Sequence, residues 1–247
     1  MSRIAIIGAT SGIAEHCARL WAGRGHDLTL VGRDAARLDA VAADLKVRSP
    51  ASAIDTLVAS DFHDPQAVDM IVGALCAERP VDIALIAHGT LPDQQACQND
   101  GALAADTMLV NGVSPALFAE AFARHMVPVD RGTIAIIGSV AGDRGRKTNY
   151  VYGAAKGLVD RYAQGMQHRL AATNVRVVLA KPGPTATAMT AALQSKGQRM
   201  ASPADVAKRI VAAIDRGQPV VYAPALWAII MAIVRALPRP IFHKLNI

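Results

Sequence analysis

The chain has 247 residues, 52% of them hydrophobic and 19% charged, with a formal net charge of +6. That length and apolar share suffice for a sizeable α/β core, and the odd, widely separated Cys17, Cys76 and Cys97 exclude a disulfide framework and zinc spacing. The basic balance suits a phosphorylated ligand or an anionic membrane surface, whereas nucleic acid is not expected without an aromatic-rich basic stripe.

Met1-Ser2-Arg3 leads straight into IAIIG, an apolar run too short for a secretory signal, so a cytoplasmic location is expected. RIAIIG from Arg3 reads as a buried strand, and IAEHCARLWAGRG as a helix ended by Gly25. LTLVG from Leu28 is a second strand, and DAARLDAVAADLK a helix capped by Asp34. IDTLVAS from Ile54 is a third strand, followed by a helix with Asp64 as cap and Pro65 at its first position. VDIALIAHG from Val81 is a fourth strand, and a long helix is expected from about Ala102 to Met126. GTIAIIGS from Gly132 is a fifth strand and VRVVLAKPG from Val175 a sixth, with a helix carrying Tyr152 between them. SPADVAKRIVAAIDRG reads as a helix capped by Ser202 and ended at Gly217, and PVVYAP from Pro219 as a short seventh strand.

Strand and helix alternate throughout, and the strands are apolar on both faces. That pattern predicts a single-domain, doubly wound (Rossmann-type) α/β fold, a seven-stranded parallel sheet with helices on both faces. No linker or internal repeat divides residues 1–247, of which 224–247 form an apolar and basic tail. IGATSGIAEH places Gly8 and Gly12 between the first strand and the first helix, where such a sheet receives a pyrophosphate on backbone N–H groups. A β-carbon at either glycine would obstruct the turn or the close approach. At the end of the second strand Gly32 removes the carboxylate that NAD sites favour, and Arg33 can fork onto a 2′-phosphate, so NADP(H) is expected over NAD(H). A solvated Arg33 beside Asp34 is the plainer alternative.

NYVYGAAKG holds Tyr152 and Lys156 one helical turn apart on the same face, an arrangement in which the ammonium can lower the phenol pKa. Tyr150 is six residues from Lys156 and off that face. Ser139 ends the fifth strand, at the sheet edge where ligands bind in open α/β sheets. Reduction of a ketone by hydride builds negative charge on oxygen and calls for a proton donor, to which Ser139 adds a hydrogen bond.

GATSGIA at Gly8, NGVS at Asn111, Ser139, YGAAK at Tyr152 and KPGPTAT at Lys181, in this order and spacing, resemble the short-chain dehydrogenase/reductase family over almost the whole chain. The resemblance implies that Tyr152 is the general acid/base and that Ser139 holds the substrate oxygen. It implies that Lys156 binds the ribose and lowers the Tyr152 pKa, and that Asn111 organises a proton-relay water. Asn111 capping or kinking its helix is the alternative. By the same resemblance Asp61 contacts adenine, unless it only begins a turn before Phe62, and Thr187 bonds the nicotinamide carboxamide. The cofactor contacts so implied are Gly8, Thr10, Ser11, Gly12, Ile13, Arg33, Asp61, Phe62, Gly89, Tyr152, Lys156, Pro182, Gly183, Thr185 and Thr187. No metal cluster is visible.

The chain departs from the family at Ile7, where Thr is usual, at Ala14, where Gly is usual, and at Ala87-His88-Gly89, where Asn-Ala-Gly is common. Arg144 and Arg146, in the loop before Tyr152, are expected to rim the substrate pocket and meet a phosphate or carboxylate; a solvated loop is the alternative. From Ala225 to Val234 the chain is continuously apolar, and Arg235, Arg239, His243 and Lys244 follow. Ten residues are too few to span a bilayer, which takes about 20. The segment 225–245 therefore either lies on a membrane surface or closes the pocket or a subunit interface. With AHGT and SVAGDRGR, the tail loosely resembles a bacterial subgroup that reduces polyprenyl-phosphate-linked keto-sugars.

The expected function is NADPH-dependent reduction of a ketone to a secondary alcohol, or the reverse, on a hydrophobic or lipid-linked small molecule. A 3-oxoacyl thioester reductase, a non-catalytic NADP(H)-sensing protein and a peripheral membrane scaffold are the rivals. The family resemblance also implies a homodimer or homotetramer.

Overall fold

Seven parallel strands form one sheet in the order β3-β2-β1-β4-β5-β6-β7. The structure is a computed structural model and describes residues 1–191 and 199–245; the last two residues of the tail, Asn246 and Ile247, lie outside the described residues. The strands are β1 (Arg3–Ile7), β2 (Asp27–Gly32), β3 (Ile54–Val58), β4 (Ile83–Ile86), β5 (Gly132–Ile137), β6 (Val175–Pro182) and β7 (Val220–Ala223). All seven expected strands are present. β1 is the hinge of the topology: Ile7 aligns with Val31 of β2 on one side and Ile86 of β4 on the other. The chain winds outward in opposite directions from this pair, which opens a crevice beyond the carboxyl ends of β1 and β4.

The alternation along β1 feeds two cores. Ile4 and Ile6 pack with Trp21, Leu30 and Ile210 on one face, beneath α1 (Gly12–Ala22) and α8 (Pro203–Asp215). Ala5 and Ile7 pack with Phe118, Phe122 and Val159 on the other, beneath α3 (Pro65–Cys76), α6 (Ser114–Met126) and α7 (Tyr150–Arg169). Both faces of the central strands are covered, so these carry no polar face, whereas the edge strand β3 exposes Asp55, Thr56 and Val58.

Local chemistry sets most helix starts. The Asp34 carboxylate accepts from the Arg37 N–H to open α2 (Ala35–Arg48), and Asp64 does the same from Ala67 for α3. Ser202 precedes α8 at the cap position, but its side chain makes no capping bond. The first helix closes at Ala22, before Gly25, which turns the chain at φ +77°. The expected helix from Ala102 to Met126 is interrupted: α5 (Gly101–Met108) passes into π-helix at Leu109–Val113 before α6 resumes. The Asn111 Nδ2 donates to the Thr107 carbonyl at 2.8 Å, a side-chain bond that competes with the regular backbone ladder there. A short helix that the sequence pattern did not show, α4 (Gln94–Asn99), is opened by Asp93.

Half of the apolar stretch Gly101–Val129 is buried within the fold, as befits a core helix; among the described residues no other helix is long and apolar enough to cross a bilayer. The tail forms α9 (Leu226–Ala236) and α10 (Arg239–Phe242). Met231 of α9 is buried, and the Trp227 indole covers Gly183 so closely that a β-carbon there has no room. The opposite face, Leu226, Ile229 and Ile233, is about 60% exposed.

His88 follows β4, buried between the edges of Phe62 and Phe118 at 5.2 and 5.6 Å. Its Nε2 pairs with the Ser114 hydroxyl at 2.8 Å, and Ser114 in turn donates to the Phe62 carbonyl. Burial, and secondarily the Lys156 charge, push its pKa down to about 3. The unfolded chain therefore binds this proton more readily than the fold does. The neutral ring's contribution is full above pH 6.5 and is lost as pH falls from 6.5 towards 3. The expected result is that thermal stability declines through this window and that His88→Asn flattens the decline, measured by unfolding at a series of pH values.

Candidate active site

Gly8 ends β1 with φ +80°, and a β-carbon there would lie 2.6 Å from the backbone N of His88. Gly8 and Ala9 N–H both donate to the Val31 carbonyl, at 2.9 and 3.0 Å, and the chain turns into α1 at Gly12. A β-carbon on Gly12 would approach the Thr187 side chain to 3.1 Å, and one on Gly89 would strike Asn111 Oδ1 at 2.7 Å. These three glycines thus leave bare backbone around one crevice, facing the start of a helix, which is the form a diphosphate requires. Arg33 stands exposed at the end of β2. Arg37, one turn further, reaches back across the turn to the Thr10 carbonyl at 3.0 Å.

At the same sheet edge, Ser139 follows β5 in extended conformation and its hydroxyl accepts from Ala141 N–H at 3.1 Å. Tyr152 lies in the first turn of α7. Lys156, one turn on, is buried, donates to the Ile137 carbonyl at 3.0 Å and sits 5.8 Å from the Tyr152 ring centre. The Asn111 Oδ1 accepts from Thr90 N–H at 3.0 Å. Ser139 after β5, Tyr152 and Lys156 on α7 and Asn111 in the π-helical turn therefore converge from three separate elements upon the crevice that the glycines line.

The short chain dehydrogenase family model matches residues 2–198. The chain belongs to that family. It is 30% identical over 244 residues to an uncharacterised oxidoreductase of Streptomyces coelicolor, covering 97% of this chain and 94% of that one. It is 30% identical over 194 residues to a galactitol 2-dehydrogenase (L-tagatose-forming) of Cereibacter sphaeroides, covering 78% and 74%. A short-chain dehydrogenase from Sphingobium yanoikuyae, solved in complex with NADPH, superposes with a TM-score of 0.81 at 26% identity, covering 97% of each chain. The keto-sugar subgroup expected from the tail finds no support in these relatives. As a short-chain dehydrogenase the chain is an oxidoreductase acting on CH–OH groups, with NAD(P)H-dependent carbonyl reduction as its chemistry.

Several expected site residues are placed differently from expectation. Lys156 does not lower the Tyr152 pKa on its own. Burial raises the phenol above its ordinary value, while Ser139 and the Arg146 charge oppose that rise. Lys156 is itself pulled down to about 8 by burial. Arg144 is no substrate rim: its Nη1 donates to the carbonyls of Val234 and Leu237, at 2.5 and 2.7 Å, and its guanidinium lies 3.7 Å over the Phe242 ring. It ties the active-site loop to the tail. Asp61 does begin a turn, accepting from His63 and Asp64 N–H at 2.7 and 3.1 Å. Thr187 opens the 3₁₀ turn Ala188–Thr190 beside Gly12, and Thr185 is buried with its hydroxyl on the Gly183 carbonyl at 2.9 Å. Phe62 is a core residue under His88, and Tyr150 is exposed.

Sequence reasoning missed Arg37, which lies in the first turn of α2 just beyond the Asp34 cap. Beneath the site, Lys181 is buried between Asp143 and Asp160 at 2.5 and 2.7 Å, and Tyr222 donates to Asp143 at 2.8 Å. Hydrogen bonds to the two carboxylates raise the Lys181 pKa against the cost of burial. This network fixes the loop that follows Ser139.

Because Lys156 titrates near 8 in the free protein, a ligand that relies on its charge binds more weakly as pH rises through that value. NADPH titrations by fluorescence are expected to show affinity falling above about pH 8, with Lys156→Met removing the inflection.

Proposed function

We propose that the protein is an NADPH-dependent reductase of ketones, with Tyr152 as the proton donor. The observation that carries this reading is the convergence of Ser139, Tyr152, Lys156 and Asn111 on the glycine-lined crevice. When bound, the nicotinamide cofactor supplies the hydride. Gly8, Ser11, Gly12 and Ile13 at the start of α1 would hold its diphosphate, Lys156 its ribose, and the Pro182–Thr187 segment its nicotinamide end. The residues fit the group: Gly8, Gly12 and Gly89 leave the space that β-carbons would fill.

For the phosphorylated form of the cofactor the support is local. Gly32 offers no carboxylate to repel a 2′-phosphate, and Arg33 and Arg37 bring two guanidinium groups to the end of β2. The NADPH complex of the Sphingobium relative agrees with this preference.

Within the chain, the Ser139 hydroxyl donates to the substrate carbonyl oxygen and Tyr152 delivers the proton. The phenol is protonated in the free protein, and the Ser139 hydrogen bond and the Arg146 charge, which oppose the effect of burial, ease release of its proton. In the reverse direction the phenolate must accept the proton, and the Ser139 hydrogen bond and the charge of Arg146 assist its formation. Asn111, held by Thr107 and Thr90, carries the relay outward from Lys156. The interconversion at C2 named for the galactitol relative is of the same secondary-alcohol type.

A hydrophobic or lipid-linked substrate is the second reading. The exposed Leu226, Ile229 and Ile233, with Arg239 and Lys244 beyond them, support presentation from an anionic lipid surface. Faster turnover of a carbonyl lipid in vesicles than of its soluble headgroup tests it.

The Tyr152→Phe variant is expected to lose at least a thousandfold in kcat while its NADPH affinity changes less than threefold. Arg33→Ala is expected to raise the NADPH Kd roughly tenfold to a hundredfold, as befits loss of a charge-assisted bond, and to leave NADH unaffected. Steady-state kinetics and equilibrium titrations check both; an active Tyr152→Phe enzyme overturns the reading.

A further inference from the structure

Five buried side-chain polar atoms have no partner among the described residues. Three of them, Gln94 Nε2, Arg146 Nε and Asn149 Oδ1, belong to residues that meet at the start of the Tyr152 helix. Their proximity is fixed by bonds through other atoms. The Gln94 Oε1 accepts from Val151 N–H at 3.1 Å, and the Asn149 N–H donates to the Arg146 carbonyl at 3.1 Å. Asn149 holds the cap position of α7, yet its side chain makes no capping bond. Burying such atoms unpaired is costly, so three on neighbouring residues call for a ligand.

The cations of this loop are otherwise accounted for. Arg144 is spent on the tail, and Lys147 is exposed. The nearby Asp143 acts on Arg146 through its charge, while its carboxylate oxygens receive Lys181 and Tyr222. Arg146 is half-buried, its Nε is unpaired, and its charge favours the Tyr152 phenolate. A cavity of about 380 Å³ behind this loop is lined by neither Ser139 nor Tyr152, and its lining carries Asp143 and Asp160 with Arg161, Lys181 and Arg235. It does not compete as the place where substrate meets the phenol.

We propose that Arg146, Gln94 and Asn149 form a subsite for an oxyanion on the substrate, so that the ketone reduced here carries a phosphate or carboxylate next to its reacting end. Arg146 and Gln94 donate to the anion, and Asn149 Oδ1 accepts from a hydroxyl of the same molecule. The inference rests on the reductase reading and adds the substrate class to it. The anion can belong to a free metabolite or to a lipid headgroup; the chemistry at Arg146 is the same.

The test compares dihydroxyacetone, dihydroxyacetone phosphate and palmitoyl-dihydroxyacetone phosphate in phosphatidylcholine vesicles, with acetoacetate and its methyl ester as the carboxylate pair. NADPH oxidation is followed for the wild type and Arg146→Gln. The wild type is expected to favour each anionic member over its neutral counterpart by roughly tenfold to a hundredfold in kcat/KM, and the variant to bring that ratio near one, chiefly through KM. The ratio is the informative quantity, because loss of Arg146 also shifts Tyr152, and that shift affects both members of a pair alike. Preference for the palmitoyl compound over the soluble phosphate assigns a lipid source, and the reverse a free one. A second readout needs no turnover: calorimetric binding of glycerol phosphate to the NADP⁺-loaded protein, weakened at least tenfold in Arg146→Gln. Arg146-dependent binding without any carbonyl reduction supports the subsite and overturns the reductase reading. Reduction with no anion preference, or a preference that survives Arg146→Gln, overturns the subsite and spares the reductase.

Discussion

At the end of β1 the Val31 carbonyl accepts hydrogen bonds from two successive N–H groups, those of Gly8 and Ala9. This closes the turn that carries the chain from the sheet into α1, and only a residue without a β-carbon fits there, with φ +80° and the His88 backbone in contact range. The neighbouring strands, β2 and β4, leave β1 in opposite directions. The crevice exists because of that divergence, and the tight turn keeps its floor bare. Cofactor cradle, Ser139 and Tyr152 all depend on it, since parallel strands end on one edge and deliver their following loops to the same place.

The electrostatics of the site follow from burial more than from any single pair. Lys156 is buried beneath Tyr152 and loses much of its hold on its own proton. The phenol is raised by the same desolvation, and what opposes that rise is Ser139 and the charge of Arg146. Burial thus works against the charged form of both groups, while Ser139 and Arg146 ease ionisation of the phenol. The Lys181–Asp143–Asp160 network, wholly internal, holds the loop after Ser139 at the correct height for this exchange.

The tail is coupled to the chemistry through Arg144. Its guanidinium binds the carbonyls at the end of α9 and covers Phe242, so the loop between Ser139 and Tyr152 cannot move independently of α9 and α10. Trp227 makes a second contact, over Gly183 in the segment that follows β6. One face of α9 is thereby used inside the molecule, and the other presents Leu226, Ile229 and Ile233 outward.

The alternation of apolar strands with Ala-rich helices determined the seven-stranded parallel sheet, and residue type and spacing determined Gly8, Ser139, Tyr152 and Lys156 as one apparatus. Asp34 and Asp64 as caps were equally legible, because capping is a matter of three or four adjacent residues. Spacing could not tell what each charge would meet. Arg144 and Arg146 are two residues apart in one loop, yet one is consumed by carbonyls some ninety positions away and the other is left facing the phenol. Nor could spacing reveal that Asn111 sits in a π-helical turn, or that Gln94 of α4 meets Val151 at the start of α7, since those depend on how the segments pack. Local backbone rules and hydrophobic period act along the chain and are written in it; burial, pKa and unpaired polar atoms arise between distant segments, and only the packed fold decides them.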